Sequence, residues 1–442
     1  MTPTAWPNPR YAWYVVCILT LAQTLSFVDQ QILALLVGPL KAEFHLSDTQ
    51  ISLLGGPAFA LFYTVMGVPL GRLSDRNNRT LIISCGVFLW SLATMSCGLA
   101  KGFWTLFLVR MGVGVGEATL SPGAYSLIAD YFPPDKLTRP TSLYLTGVWF
   151  GTGLAFILGG ALIDMVTTMG TITVPVLGDL KTWQVVFFCV GAPGLLSPLV
   201  MLTVREAARR SKIEAVGVVD VDVRTALAYV WAHRRTYAPM FASLGLYAAY
   251  GLGTSFWTIE FFSRAYAIDR STISYTYGTM CFVFETAGSM SAGWVVEWFE
   301  RRGHADAKVL TAYLGIAAMI PFAALFPLMP SPLLAAIGVA GVVFCTPFPY
   351  GPSVAALQNV TPNKMRGFVS GLYLFVAIVL GLGVGPTLIA LMTDFVFRSD
   401  ALLNYSLAAT AALLIPAATF CMHMARKPFA ASLSAAAVWT ER

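Results

Sequence analysis

The stretch GRLSDRNNR (Gly71–Arg79) is a polar island, with three arginines and an aspartate set between apolar runs at 49–70 and 80–100. About 20 mainly apolar residues suffice for a helix to cross the hydrocarbon of a bilayer. A short, basic loop between two such runs therefore reads as the turn of a membrane hairpin. Working outward in both directions, apolar runs recur at 12–38, 103–131, 141–166, 183–203, 239–262, 272–298, 309–328, 333–360, 368–394 and 402–424. Together these make twelve expected spans. Of the 442 residues 57% are hydrophobic and 11% charged, and mean hydropathy is +0.70. Soluble domains carry about twice that share of charge. The opening MTPTAWPNPR is polar and runs straight into a full-length span, so no cleavable signal is expected.

The basic residues set the orientation. Arg10, Arg72, Arg76, Arg79, Lys136, Arg139, the cluster between 204 and 238, Arg301, Arg302, Lys308, Lys364, Arg366, Arg426, Lys427 and Arg442 all fall on one side. The opposite side holds only Lys41, Lys101, Lys181, Arg264, Arg270 and Arg398. Both termini are thus expected in the cytoplasm, with the chain in the cell (inner) membrane. The net charge of +6 follows from this bias, so nothing calls for a nucleic-acid partner. The seven cysteines lie within spans, and the four histidines are scattered. Neither set has metal-ligand spacing, no Gly-rich Lys loop for ATP appears, and no nucleophile–base set is clustered. The expectation is a non-enzyme without cofactor or metal.

The island has a partner later in the chain. The loop after the eighth span (272–298) begins GWVVEWFERR (Gly293–Arg302), in which Gly293 and Glu297 repeat the spacing of Gly71 and Asp75. PPDKLTR (133–139) is matched by TPNKMRG (361–367), and Gly151 by Gly381, all at nearly one offset. This is a six-plus-six duplication: an N-terminal bundle (1–203), a linker (204–238) with an amphipathic surface helix within 212–235, a C-terminal bundle (239–424) and a tail (425–442). Parallel six-helix halves are the arrangement of major facilitators.

GRLSDRNNR resembles the major facilitator loop motif, departing at Thr80, where a base is usual. FVDQQILALLVGPLKAEFHLSDTQISLL, WSLATMSCGLA and RMGVGVGEATLSPGAYSLIADYFPPDKLTR are similar to the Spinster-like group within that superfamily. One departure stands out: Gln30 occupies the position after Asp29 where members commonly carry Arg. The resemblance implies an all-α, multi-pass fold and alternating-access transport. It also implies a substrate such as a lysolipid or sphingoid phosphate, and a cytoplasmic latch formed by the motif. That latch would use Asp75, with Gly71 and Arg76 beside it, Glu297 in the second copy, and Asp130, Arg139 and Arg366 as candidate partners.

Three charges lie inside spans. Arg110 and Glu117 are two turns apart on one helix, about 10.5 Å along its axis. Counted from the outer ends, Arg110 stands about 10 Å deep, Asp29 about 14 Å and Glu117 about 21 Å. If spans 1 and 4 adjoin, as they do in major facilitators, Asp29 can pair with Arg110 while Glu117 sits deeper. Ionisable groups within spans are functional by default, so Asp29, Arg110 and Glu117 are the expected proton-coupling and substrate-binding residues. The competing reading is a static clamp between the two helices. Glu285 is the one deep acid of the second half and a further substrate-site candidate. The glycine run Gly112–Gly116 has no strand before it, so it reads as a helix-packing surface rather than a nucleotide fingerprint.

The expectation is a monomeric, proton-driven transporter of an anionic amphiphile, bathed in membrane lipid. The alternative is a proton symporter of a small organic anion such as a sugar acid. A sensor is disfavoured because no soluble output domain accompanies the spans.

Overall fold

The computed structural model describes residues 6–133, 136–169, 172–174, 178–209, 223–362 and 365–440. Its helices run α1 (Pro9–Leu35), α2 (Val37–Phe44), α3 (Asp48–Gly55), α4 (Pro57–Arg76), α5 (Arg79–Cys97), α6 (Phe103–Glu117), α7 (Leu120–Tyr131), α8 (Thr138–Met169) and α9 (Thr182–Met201). They continue as α10 (Val223–Ala232), α11 (Arg234–Tyr266), α12 (Arg270–Met280), α13 (Thr286–Arg301), α14 (Ala307–Leu325), α15 (Pro332–Cys345), α16 (Tyr350–Val360), α17 (Arg366–Ile378), α18 (Gly385–Leu391) and α19 (Leu403–Thr440). Among the described residues, ten helical stretches are long and apolar enough to cross a membrane. The stretches 234–266 and 270–301, which cover two further expected spans, are as long but are not among them.

Helix starts follow local chemistry. Asn8 caps α1 by accepting from the Arg10 amide, with Pro9 in the first turn. Ser47 and Gln50 form a capping box on α3, and Asn78, inside the polar island, accepts from Leu81 N–H to start α5. Each cap satisfies amides that the helix cannot bond itself. Among the described residues, the one departure from helix is a pair of short antiparallel strands, β1 (Ile172–Val174) and β2 (Gly178–Leu180), with Thr173 bonded to Asp179 at 2.6 Å.

Contacts divide the chain into two compact units: Met1–Gly217 with Ile268–Phe282, and Val218–Ala267 with Val283–Arg442. In the first, α1 lies along α8, α5 along α9, and α6 between α4 and α5. Helix α12 joins this unit by lying on α8, where Gly153 and Gly278 bring the two backbones together. In the second, α11 packs on α19 and on the segment from α17 to α18, and α14 packs on α15 and α19. Large apolar side chains such as Trp104, Leu333, Leu196 and Phe420 stay more than half exposed, as expected where the surrounding solvent is lipid. The described part of the expected linker helix is α10, with Leu227 and Trp231 turned outward; residues 210–222 lie outside the described residues.

Candidate functional site

The site is built by close helix approach in the first unit. At Gly114 a Cβ would stand 2.6 Å from the Phe59 carbonyl of α4, and at Gly116 it would stand 2.7 Å from the Trp90 amide of α5. No larger residue fits either place, so the glycine run does serve packing. The span breaks immediately after Glu117, where Ala118 and Thr119 turn the chain into α7.

Glu117 is 1% exposed, and its Oε2 accepts from Ser26 Oγ at 2.6 Å and Gln30 Nε2 at 2.6 Å, both on α1. Asp29, 3% exposed, turns towards α5, where Thr94 Oγ1 donates to its Oδ2 at 2.7 Å. Arg110 is fully buried, and none of its three guanidinium nitrogens has a hydrogen-bond partner. It stands 5.8 Å from the centroid of the Phe59 ring, a cation–π distance. It is close enough to both carboxyl groups to interact through space. The expected Asp29–Arg110 hydrogen-bonded pair is therefore not formed. Depth along a helix fixes height but not azimuth, and the rotation of α1 spends Asp29 on Thr94 instead.

A second buried arginine contrasts with the first. Arg79, the last residue of the polar island, is 0% exposed and bonded on every side. Its Nε donates to Glu206 Oε1 at 2.6 Å, Nη2 to the Ala207 carbonyl at 2.9 Å, and Nη1 to Ser126 Oγ at 2.8 Å and to Asp130 Oδ2. The other Glu206 oxygen accepts from the Thr80 amide at 3.1 Å, placing a carboxylate at the positive start of α5. Thr80, the departure from the usual motif, is thus held by Glu206. Arg209 adds bonds to the carbonyls of Ser74 and Asn77 that end α4.

With this geometry established, sequence comparison identifies the scaffold: the family model "Major Facilitator Superfamily" matches residues 19–386. The chain belongs to that superfamily. Among solved structures it is similar to a bacterial homologue of the human lysosomal transporter Spinster, in an inward-facing and unoccupied conformation. The TM-score is 0.79 and the identity 26%, over 97% of this chain and 98% of that one. Among curated proteins, an MFS-type efflux pump of Mycolicibacterium smegmatis is 26% identical over 88% of this chain and 86% of its own length. A probable L-galactonate transporter of Escherichia coli is 22% identical over 82% of this chain and 79% of its own. The sphingosine-1-phosphate transporter SPNS2 of Danio rerio is 33% identical, over 32% of this chain and 28% of its own.

As a major facilitator, the chain can be checked against the latch its loop motif implies. Asp130 is bound by Arg79. Gly71 has room around it, with Pro122 as its nearest neighbour, and Arg76 is exposed. The backbone of Asp75 is helical, and its side chain lies outside the described residues. Arg139 is exposed, and Arg366, also exposed, donates to the Thr361 carbonyl at 3.1 Å. Glu297 forms a surface pair with Arg301 at 3.2 Å, the kind worth little energetically. Glu285 lies in the second unit and is 7% exposed. Sequence reasoning missed Ser26, Thr94 and Glu206, and took Arg79 as a loop-motif and topology charge rather than a buried partner. Gln30 was noted as an absent cation, whereas in the structure it is a donor to Glu117.

Proposed function

We propose that the chain is a proton-coupled secondary transporter working by alternating access, and that its substrate is an anionic amphiphile of the lysolipid or sphingoid-phosphate type. In this reading it crosses the inner membrane twelve times with both termini in the cytoplasm. Its bundles span 1–203 and 239–424, with the 204–238 linker between them. It works as a monomer, and the proton gradient drives it without a cofactor. The observation that carries the reading is Arg110, a fully buried guanidinium with no hydrogen-bond partner, flanked by the carboxyl groups of Asp29 and Glu117. Leaving such a group unbonded is costly, and a ligand anion is what it is shaped to receive. An anion that takes Arg110 withdraws its charge from the reach of the two carboxyl groups, and a proton can replace it. Ligand binding and proton binding are then coupled through one shared cation.

The amphiphile comes from the likeness to Spinster proteins and to SPNS2. A small organic anion remains the second reading, favoured by the L-galactonate transporter match along most of the chain. In both readings Gly71, Asp75, Arg76, Asp130, Arg139, Glu297 and Arg366 gate the cytoplasmic side.

The test is transport into sealed liposomes of a labelled lysosphingolipid and a labelled sugar acid under an imposed pH gradient. Wild type is compared with Glu117→Gln and Asp29→Asn. Lysolipid movement that follows the gradient and fails in both variants supports the first reading; sugar-acid movement alone replaces the substrate. Full gradient response in both variants would reduce the cluster to a clamp.

A further inference from the structure

Helix α10 is held to the second unit by one edge and presents another. On the held edge Ala226 is buried, and the Tyr229 hydroxyl donates at 3.0 Å to the Val360 carbonyl that ends α16. The His233 ring lies against that of Tyr229, with centroids 4.2 Å apart. Val223, Leu227 and Trp231 follow one another at four-residue steps and so share a different face. They are 50%, 46% and 72% exposed. The charges beside this stripe have one sign. From Val223 to Met240 the chain has three arginines and no acid, and Arg224, Arg234 and Arg235 are all exposed. The Arg234 guanidinium stands 5.6 Å from the centroid of the Trp231 ring. Among the described residues neither Arg224 nor Arg235 is joined to an acid. Other surface cations of the same unit are: Lys308 meets Glu300 and Arg426 meets Asp306, each at 2.7 Å.

An outward apolar stripe flanked by arginines is the form of a helix that lies in a bilayer interface. A guanidinium fork bonds a phosphate through paired N–H groups. We propose that α10 is a docking site for anionic bilayer phospholipid. Val223, Leu227 and Trp231 enter the acyl boundary, while Arg224, Arg234 and Arg235 take the headgroup phosphates. The bilayer is the occupant because α10 ends one residue before α11, the helix that covers the expected seventh span. A face tethered so close to a span meets lipid before any soluble protein. The site lies wholly within the second unit and is separate from the transported substrate. Its consequence is that the linker is pinned to the leaflet by charge as well as by Tyr229.

The test is hydrogen–deuterium exchange of the full-length protein in nanodiscs, followed by mass spectrometry on peptides covering 223–233. Discs of phosphatidylcholine alone are compared with discs that also contain phosphatidylglycerol. Phosphatidylglycerol should slow exchange in α10. High salt should reverse the slowing, because charges at a surface are screened over about 3 Å at 1 M; this arm needs no variant to fold. An arginine near an anionic surface is worth about five-fold in binding, so Arg224→Gln with Arg235→Gln should lose about 25-fold of the protection that phosphatidylglycerol gives. Trp231→Ala should speed exchange of α10 in both kinds of disc, with the peptides of α11 unchanged as the sign that the fold stands. Equal exchange in the two lipids would overturn the proposal. So would slowing that survives high salt, slowing kept in full by the arginine double variant, or an α10 in Trp231→Ala that exchanges as in wild type.

Discussion

Two arginines in the first unit are both fully buried and have opposite surroundings. Arg79 donates to Glu206, Asp130, Ser126 and Ala207; Arg110 donates to nothing. Burying a guanidinium is tolerable when every donor finds an acceptor and costly when none does. The first arrangement therefore holds the start of α5 and the end of α7 to the residues that follow α9. The second has a cost that packing does not offset. On the proposed reading, the difference within one unit separates a residue that serves the fold from one kept for a ligand.

The comparison can be broken by mutation, and the largest effect should come from Arg79. Replacing it with Met removes the buried cation that Asp130 and Glu206 share, which should cost about 3–5 kcal/mol and appear as a large fall in thermal midpoint. Arg110→Met should spare the midpoint and instead weaken binding of the anionic substrate by about 2–5 kcal/mol, roughly 30-fold or more, in an equilibrium binding assay. Glu117→Gln keeps its shape and its neighbours on α1. It should remove the response of transport to a pH gradient while leaving exchange of substrate at equal pH, measured by counterflow. Thr94→Val removes the one hydroxyl bonded to Asp29 and should cost about 1–3 kcal/mol, between the two arginines in the same melting series.

The smallest effect lies at the surface. Asp269 caps α12 through the amide and hydroxyl of Ser271. The Ser271 hydroxyl holds its carboxyl below the ordinary 3.8. A lowered folded value means that the cap contributes fully above that ordinary value and fades as pH falls through and below it. Asp269→Ala should cost about 1 kcal/mol near neutral pH, with a shrinking difference from wild type in melting curves taken towards strong acid.

Much of the scaffold was legible in the sequence because a bilayer imposes long apolar runs, and because the island at Gly71–Arg79 resembles the major facilitator loop motif. The strand pair at 172–174 and 178–180 was not, since its strands are three residues each and carry too little alternation to register. Nor were the π-helical segments Cys281–Glu285, Val379–Val384 and Met392–Phe397, which no apolar periodicity announces. At the site, the acids and Arg110 were visible as charges in apolar spans. Their partners were not. Ser26 meets Glu117 across 91 residues and Arg79 meets Glu206 across 127, and such pairings depend on helix rotation. The same gap explains the missing Asp29–Arg110 bond: rise per residue located the heights, and the azimuth of α1 decided the partners.

The central claim, that Arg110 is held for a ligand and not for the fold, is tested most directly by the melting midpoint of Arg110→Met in nanodiscs. The account predicts a midpoint at or above that of wild type, because Met fills the space beside Phe59 without an unbonded charge. A fall as deep as that of Arg79→Met would contradict it and make Arg110 a structural clamp.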